Sequence, residues 1–199
     1  MAEEPPFSSG PGPSAHPRVG ELIRALKLQP HAEGGHFAEV FRSPRLVRAV
    51  RPAGAGGAPE DGGGGRSDAS ARERSALTTI YFLLAAGETS RWHRLDADEI
   101  WHFIEGEPLD LLLLDERARI LTRLRLGPAA PGAGGGAVAA PVHVVPAGSW
   151  LAARPSGAYS LVGCTVGPGF EYEGFTLLRD VPALAEEVAR RFPDVAPLV

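Results

Sequence analysis

Residues 87–106, GETSRWHRLDADEIWHFIEG, constrain the fold of this chain more than any other stretch. Residues 90–95 alternate between the two sides of an extended strand, so Arg91, His93 and Leu95 share one face. Alternation with a period of two indicates a β-strand, whereas an amphipathic helix repeats at about 3.6 residues. The chain is therefore predicted to fold around a sheet that carries an imidazole on one side.

A turn and a second strand follow directly. Residues 96–98 are Asp-Ala-Asp, and short acidic side chains of this kind hydrogen-bond their own backbone in turns. Residues 99–105 resume the extended pattern, with Glu99 on one face and His102 on the other. We expect His93 and Glu99 to face a common interior. His102 is expected to be a half-buried residue of the opposite face, outside the site.

The remaining pattern is that of an all-β fold with two short helices. Apolar spacing predicts an N-terminal helix over 18–28 and a C-terminal helix over 181–192. Short strands at regular spacing, with turn residues between them, favour a β-sandwich or barrel. The strands are predicted at 36–42, 77–84, 90–95, 99–105, 109–114, 120–126, 142–145, 150–153, 159–166 and 170–178.

Three stretches lack this pattern. Residues 1–17 are rich in Pro, Gly and Ser and are predicted to be a disordered tail. Residues 52–75 are predicted to be a flexible insertion, and residues 128–141 a loop rich in Gly and Ala. The prediction is a single domain over residues 18–199.

Composition excludes several classes of protein. The net charge of −4 disfavours a nucleic-acid-binding protein, which would show a basic face. We expect no membrane partner, because no run of about 18 apolar residues is present. The N-terminus lacks the basic start and apolar run of a secretory signal. The lone cysteine, Cys164, suits a reducing compartment, so a cytoplasmic location is expected.

The spacing within residues 87–106 resembles the first motif of the cupin superfamily. That motif is Gly, five residues, His-x-His, three or four residues, Glu, six residues and Gly. The first histidine is matched by His93, and the two glycines and the glutamate are matched by Gly87, Gly106 and Glu99. Leu95 stands at the second histidine.

The second cupin motif, Pro-x-Gly-x-x-His, resembles residues 146–150 followed by Leu151, which stands in place of the histidine. The two motifs, together with the segments EGGHF, YFLL, WHRL and EIWHF, make this chain resemble one cupin branch over about residues 22–178. That branch is largely uncharacterised and is sometimes described as predicted sugar epimerases. The resemblance implies a double-stranded β-helix, or jelly roll.

The resemblance also bears on metal binding. In metal-dependent cupins, three histidines and one glutamate hold a divalent metal inside the barrel. Here only His93 and Glu99 remain at those positions, because Leu95 and Leu151 supply no donor atoms. We expect no metal and no other cofactor, and any metal present would have His93 and Glu99 as its ligands. A metal-dependent cupin oxygenase is disfavoured for the same reason.

Without a metal, His93 and Glu99 form a candidate pair for proton transfer. A carboxylate beside an imidazole raises the pKa of the imidazole and fixes its tautomer, which suits general acid–base catalysis. Some cupins that act on nucleotide-linked sugars are metal-free and use a histidine base and a tyrosine acid. Tyr81 and Tyr159 are the candidate acids here. The alternative is a buried hydrogen-bonded pair that stabilises the barrel or binds a ligand without turnover.

Four further residues are candidates for binding a substrate. Arg91 shares the predicted face of His93 and would pair with a phosphate or carboxylate, although an exposed arginine is the simpler interpretation. Trp101 shares the face of Glu99 and would stack on a sugar or base, or pack in the core. Glu33 and His36 flank a Gly-Gly pair that forms either the pocket rim or a tight turn.

The predicted activity is a metal-independent epimerase or isomerase of a small, carbohydrate-derived substrate. The alternative is a cupin that binds a small ligand without changing it. The resemblance also implies a homodimer, in which a partner subunit covers exposed strand edges.

Overall fold

A computed structural model describes residues 16–48, 73–116, 119–129 and 139–199. The predicted tail at 1–17 and the predicted loops at 52–75 and 128–141 therefore lie largely outside the described residues. Where they are described, the boundaries differ from the prediction. Pro17 already begins the first helix, and residues 73–75 form a strand.

The described residues contain thirteen strands and two α-helices. The helices are α1 (Pro17–Ala25) and α2 (Pro182–Arg191). The first strands are β1 (Gln29–Pro30), β2 (His36–Arg42), β3 (Leu46–Arg48), β4 (Glu73–Ser75), β5 (Thr78–Ala85), β6 (Ser90–Leu95) and β7 (Asp98–Gly106). The others are β8 (Leu109–Asp115), β9 (Ile120–Leu126), β10 (Val142–Val145), β11 (Trp150–Pro155), β12 (Tyr159–Gly167) and β13 (Phe175–Leu177).

Two antiparallel sheets pack face to face and confirm the predicted all-β jelly roll with its two short helices. The six-stranded sheet has the order β1-β2-β5-β12-β7-β10, and the five-stranded sheet has the order β13-β6-β11-β8-β9. Strands β3 and β4 pair separately. The predicted strand at 170–178 is wrong in its first half. A 3-10 turn occupies Tyr172–Gly174, and only Phe175–Leu177 pair with β6.

The core between the sheets is built from the inward faces of their strands. Each inward row alternates with an outward row because side chains in a strand point to opposite sides. Trp101 packs edge-on against Phe82, with 5.8 Å between ring centroids. Around this pair lie buried leucines and valines of both sheets, including Leu84, Leu111, Leu151 and Val162.

The outer face of the five-stranded sheet is covered by α2 and the C-terminal residues. Trp92 and Trp150 point outward from β6 and β11 and are buried beneath Leu184 and Val188 of α2. An outward row this apolar needs a covering layer, and the amphipathic face of α2 provides it.

Within the part of the chain that the structure describes, the outer face of the six-stranded sheet is covered only in part. Helix α1 places Val19 and Leu22 over Leu83 and Leu161. At the β7–β10 end, apolar side chains remain exposed: Ile104 is 43% exposed, Val142 45% and Val144 55%. The predicted placement of His102 fits this face, because His102 is half-buried and pairs with Val142 across the strands.

The register of the two sheets positions the site. In the six-stranded sheet, Glu99 lies opposite Val145 and Val166. In the five-stranded sheet, His93 lies opposite Leu151. Directly paired residues of antiparallel strands share a face, and both of these rows face the core. Among the described residues, no helix is long and apolar enough to cross a membrane.

Candidate functional site

A cavity of about 170 Å³ opens between the two sheets. Its polar floor is formed by His31, Glu33, His93 and Glu99. Its walls are mostly apolar and include Phe37, Ile80, Leu95, Val166, Phe170 and Phe175. Glu39, Arg42, Glu171 and the exposed Tyr172 line its mouth. A dry cavity of about 150 Å³ holds one benzene-sized molecule, so this pocket suits a small ligand.

His93 is a buried imidazole whose tautomer is set by the backbone. Its side chain is 3% exposed, and Nδ1 lies 2.8 Å from the carbonyl oxygen of Arg91. A carbonyl only accepts, so Nδ1 carries the proton and Nε2 has a free lone pair. Burial lowers the pKa of His93, and the nearby Glu99 charge partly opposes this effect. His93 is therefore a neutral imidazole with a basic nitrogen at neutral pH.

Glu99 is a carboxyl poised between its two protonation states. Burial raises its pKa to about 7; His93 acts in the opposite direction, and the charge of Glu33 adds to the increase. The indole N–H of Trp101 comes close enough to lower this pKa. The indole nitrogen nevertheless has no partner in hydrogen-bonding geometry among the described residues. A carboxyl with a pKa near 7 exchanges protons readily at neutral pH.

Glu33 links the segment before β2 to β6. Its Oε1 accepts a hydrogen bond of 3.0 Å from the hydroxyl of Ser90, and its Oε2 lies 3.2 Å from Nδ1 of His93. Burial raises the pKa of Glu33 to about 7, with His31 and the Ser90 hydroxyl opposing the increase. Glu33 thus belongs to the same floor as His93 and is positioned by contacts on both sides.

His31 is the second imidazole of the floor, and sequence reasoning missed it. The backbone N–H of Glu33 donates to its Nδ1 at 3.3 Å, so in the neutral ring the proton sits on Nε2. Burial lowers the pKa of His31. Its ring packs edge-on against Phe37, with 4.6 Å between centroids. Its spacing of two residues from Glu33 was the sole signal in the sequence, and it carries no distinctive pattern.

A β-bulge in β6 overturns the predicted placement of Arg91. Ser90 pairs with Ala153 and His93 with Leu151, so β6 has one residue more than β11 over this interval. The extra residue interrupts the alternation, and Ser90 and His93 both turn inward. The Arg91 side chain is exposed and does not line the cavity. The backbone of Arg91 instead helps to position Glu33, because its N–H donates to the Glu33 carbonyl at 2.8 Å.

The two predicted tyrosines lie away from the cavity. Tyr81 packs in the cluster beneath α1, on the outer face of the six-stranded sheet. Tyr159 belongs to the same cluster, and its hydroxyl donates to Glu105 at 3.0 Å. Parity explains both placements, because Tyr81 and Tyr159 occupy outward positions of β5 and β12. The third tyrosine, Tyr172, lines the mouth of the cavity.

Two other candidates also lie outside the cavity lining. Trp101 is 1% exposed and packs in the core behind Glu99, so it offers no ring face to a ligand. His36 follows the Gly-Gly turn and lies 3.6 Å from Glu88 at the surface. Gly35 has a φ of 65°, and a Cβ there would stand 2.7 Å from the Leu83 carbonyl oxygen, so the turn requires glycine.

The four cupin ligand positions do converge, but their donor set does not fit a metal. His93, Leu95, Glu99 and Leu151 border one small void with no room for a water molecule. Two leucines there replace nitrogen donors with apolar carbon, and one imidazole with one carboxylate is a poor site for a transition metal. No group of three or more His, Cys, Asp or Glu side chains within the described ranges could hold a metal ion.

Comparisons with known proteins identify the family. The model of the family described as Cupin superfamily (DUF985) matches residues 20–178. A solved structure from Shewanella oneidensis is 29% identical, with a TM-score of 0.63 over 90% of this chain and 92% of that chain. A hypothetical protein from Leishmania major is 27% identical, with a TM-score of 0.63 over 90% of this chain and 95% of that chain. Comparison with curated proteins finds no match. This chain belongs to the cupin superfamily, in the family DUF985.

Proposed function

We propose that this protein is a metal-independent isomerase or epimerase that moves a proton on a small, carbohydrate-derived substrate. One observation carries the proposal: an imidazole with a free Nε2 and a carboxyl with a pKa of about 7 line the same cavity. Epimerisation beside a carbonyl needs one group that takes a proton and another that returns it.

His93 acts as the base in this proposal. Its Nε2 removes a proton from the carbon next to the substrate carbonyl, and the electron pair of the broken C–H bond moves into an enolate. The proton on Nδ1 stays in its hydrogen bond to the Arg91 carbonyl, which holds the ring in place. Glu33 beside Nδ1 stabilises the imidazolium that forms, since opposite charges at 3.2 Å attract strongly away from water.

Glu99 acts as the acid. It returns a proton to the same carbon from the other side for epimerisation, or to the neighbouring carbon for isomerisation. The reaction then leaves His93 protonated and Glu99 ionised, and proton exchange between them restores the starting state. This role takes the place of the tyrosine acid expected from the resemblance, because Tyr81 and Tyr159 do not line the cavity.

Exchange of substrate hydrogen with solvent tests the proposal. Neutral aldoses and ketoses are incubated with the protein in D₂O, and loss of the C–H signal next to the carbonyl is followed by NMR. We expect His93→Gln and Glu99→Gln to lower the exchange rate by roughly 100-fold or more. The control is Glu186→Gln, which removes an exposed carboxylate on α2. Full exchange in the His93 variant would refute the assignment.

A second candidate is a protein that binds a small ligand and releases it unchanged. It is favoured by the mostly apolar walls and by the contacts among Ser90, Glu33 and His93, which also serve as a structural network. Under this alternative, a neutral ligand raises the melting temperature of the protein but shows no hydrogen exchange.

We also propose that the chain forms a homodimer through the outer face of the six-stranded sheet. Ile104, Val142 and Val144 are exposed there, beyond the area that α1 covers. Apolar side chains next to one another on a sheet face are typical of an interface. A second copy would bury them by packing sheet against sheet.

A further inference from the structure

The charge of the cavity limits what it can bind. Four carboxyl side chains line it, and they come from four separate segments of the chain: Glu33, Glu39, Glu99 and Glu171. The lining contains one arginine or lysine among the described residues, Arg42. The excess of acidic groups therefore arises from several segments that the fold brings together.

Arg42 is not available to a ligand. Its guanidinium lies 2.9 Å from Glu39 and 2.9 Å from Glu171, and it also donates to the carbonyl oxygen of Phe170 at 3.3 Å. These contacts bridge β2 to the segment after β12 at the mouth of the cavity. A phosphate or carboxylate entering the cavity would thus meet carboxylates, with no unpaired arginine or lysine among the described lining residues.

Glu99 lacks a partner suited to its charge. It is 6% exposed and lines the cavity, and His93 and Trp101 are the described groups close enough to lower its pKa, neither of them a standard hydrogen-bond donor to its carboxylate. Trp101 approaches it but falls short of hydrogen-bonding geometry, and its N–H is left unpartnered. Buried carboxylates normally have a cation or several donors beside them. A cationic group in the cavity would supply the missing partner.

Aromatic rings border the same space. Phe170, Tyr172 and Phe175 all line the cavity and contact one another, with centroid distances of 5.1, 6.0 and 6.4 Å. The face of an aromatic ring carries negative charge density and attracts organic cations. Aromatic rings beside carboxylates are the combination that recognises ammonium groups.

We propose that the cavity binds a small organic cation, a protonated amine on a compact apolar body, with its ammonium group at Glu99 and Glu33. The apolar body packs against Phe170, Tyr172 and Phe175. This inference rests on the proposed function only in taking the cavity as the binding site; it does not require turnover. Combined with that function, it means that the substrate carries an amino group and no phosphate.

Three probes of one shape and different charge test this inference. Benzylamine, benzyl alcohol and benzoate are titrated by calorimetry at pH 7.5, up to 10 mM, with thermal melting in parallel. We expect benzylamine to bind at least tenfold more tightly than benzyl alcohol and to raise the melting temperature, and we expect benzoate not to bind. Equal binding of benzylamine and benzyl alcohol, preference for benzoate, or binding of none of the three would overturn the inference.

A variant then separates charge recognition from simple support of the fold. Glu99→Gln keeps the size of the side chain and removes its charge, so benzylamine affinity should fall at least tenfold while benzyl alcohol affinity is unchanged. Glu186→Gln on α2 is the matched control and should change neither. Loss of both affinities in the Glu99 variant would indicate a structural role and reject the charge contact.

The results also distinguish this inference from the proposed function. Benzylamine binding without hydrogen exchange in neutral sugars or in amino sugars supports the cation site and rejects catalysis. Hydrogen exchange in neutral sugars without benzylamine binding supports catalysis and rejects the cation site.

Discussion

Replacing Glu99 with glutamine should make the stability of the protein depend less on pH. Burial raises the pKa of Glu99 from 4.5 to about 7. The folded state therefore holds a proton that the unfolded state releases between these two values. The contribution of this carboxyl to the free energy of unfolding is fully present below pH 4.5 and is lost as the pH rises through 7. At about 1.4 kcal/mol per pH unit, the loss is about 3 kcal/mol.

The histidines of the site act in the opposite direction. The pKa values of His31 and His93 are lowered by burial, so they favour the folded state above their ordinary pKa of 6.5 and destabilise it as the pH falls. The pH profile of the unaltered protein mixes these effects. The difference between Glu99→Gln and the unaltered protein removes most of the histidine contribution and isolates the carboxyl.

Urea unfolding at pH 4.5, 6, 7.5 and 9 measures this difference. We expect the free energy of unfolding of Glu99→Gln, taken relative to that of the unaltered protein, to increase by about 3 kcal/mol between pH 4.5 and 9. Most of this increase should occur below pH 7.5. The control Glu186→Gln reports the effect of losing an exposed carboxylate. A difference that stays flat over this range, or that falls with pH, would show that Glu99 is not held in a buried, weakly solvated position.

Three other predictions test the metal positions, the dimer and the glycine turn. Converting both Leu95 and Leu151 to histidine should complete a four-donor site and tighten Zn²⁺ binding by roughly 100-fold or more, measured by calorimetry; unchanged binding would contradict the placement of the four positions. Val144→Glu should convert the proposed dimer to a monomer in light scattering after gel filtration, because it places a charge in the proposed apolar interface; a monomeric unaltered protein would reject the dimer. Gly35→Ala should lower the free energy of unfolding by about 2 kcal/mol in urea titration, because φ is positive and the added Cβ meets backbone; an unchanged midpoint would show that the turn relaxes.

Strand parity was sufficient to place the central pair. His93 and Glu99 lie on neighbouring segments, and the alternation of each strand correctly turned both side chains toward the core. The same alternation placed His102 on the outer face. The two leucines at cupin ligand positions were also assigned from spacing alone, since a superfamily motif fixes positions along strands whatever residue occupies them.

Parity failed where the strand is irregular or where long-range packing decides. The face of Arg91 was predicted wrongly because nothing in the sequence of β6 marks a one-residue bulge, whereas the simpler interpretation of Arg91 as an exposed side chain agrees with the structure. Ser90 was missed because its role depends on Glu33, which is separated from it by 57 positions along the chain. His31 was missed because its spacing of two residues from Glu33 is no distinctive pattern. Tyr172 was missed because the segment after β12 reads as a strand, whereas it forms a turn at the cavity mouth.

The bulge in β6 has a consequence for related chains. A relative with a strand of the same length but no bulge would pair the position of Arg91 with that of Ala153, so the position of Arg91 would turn inward and the position of Ser90 would turn away. Its cavity would then contain a guanidinium where this chain has a hydroxyl, and the proposed preference for cations would shift towards anions. The register of this strand, as well as residue identity, therefore affects the ligand charge that such a barrel accepts.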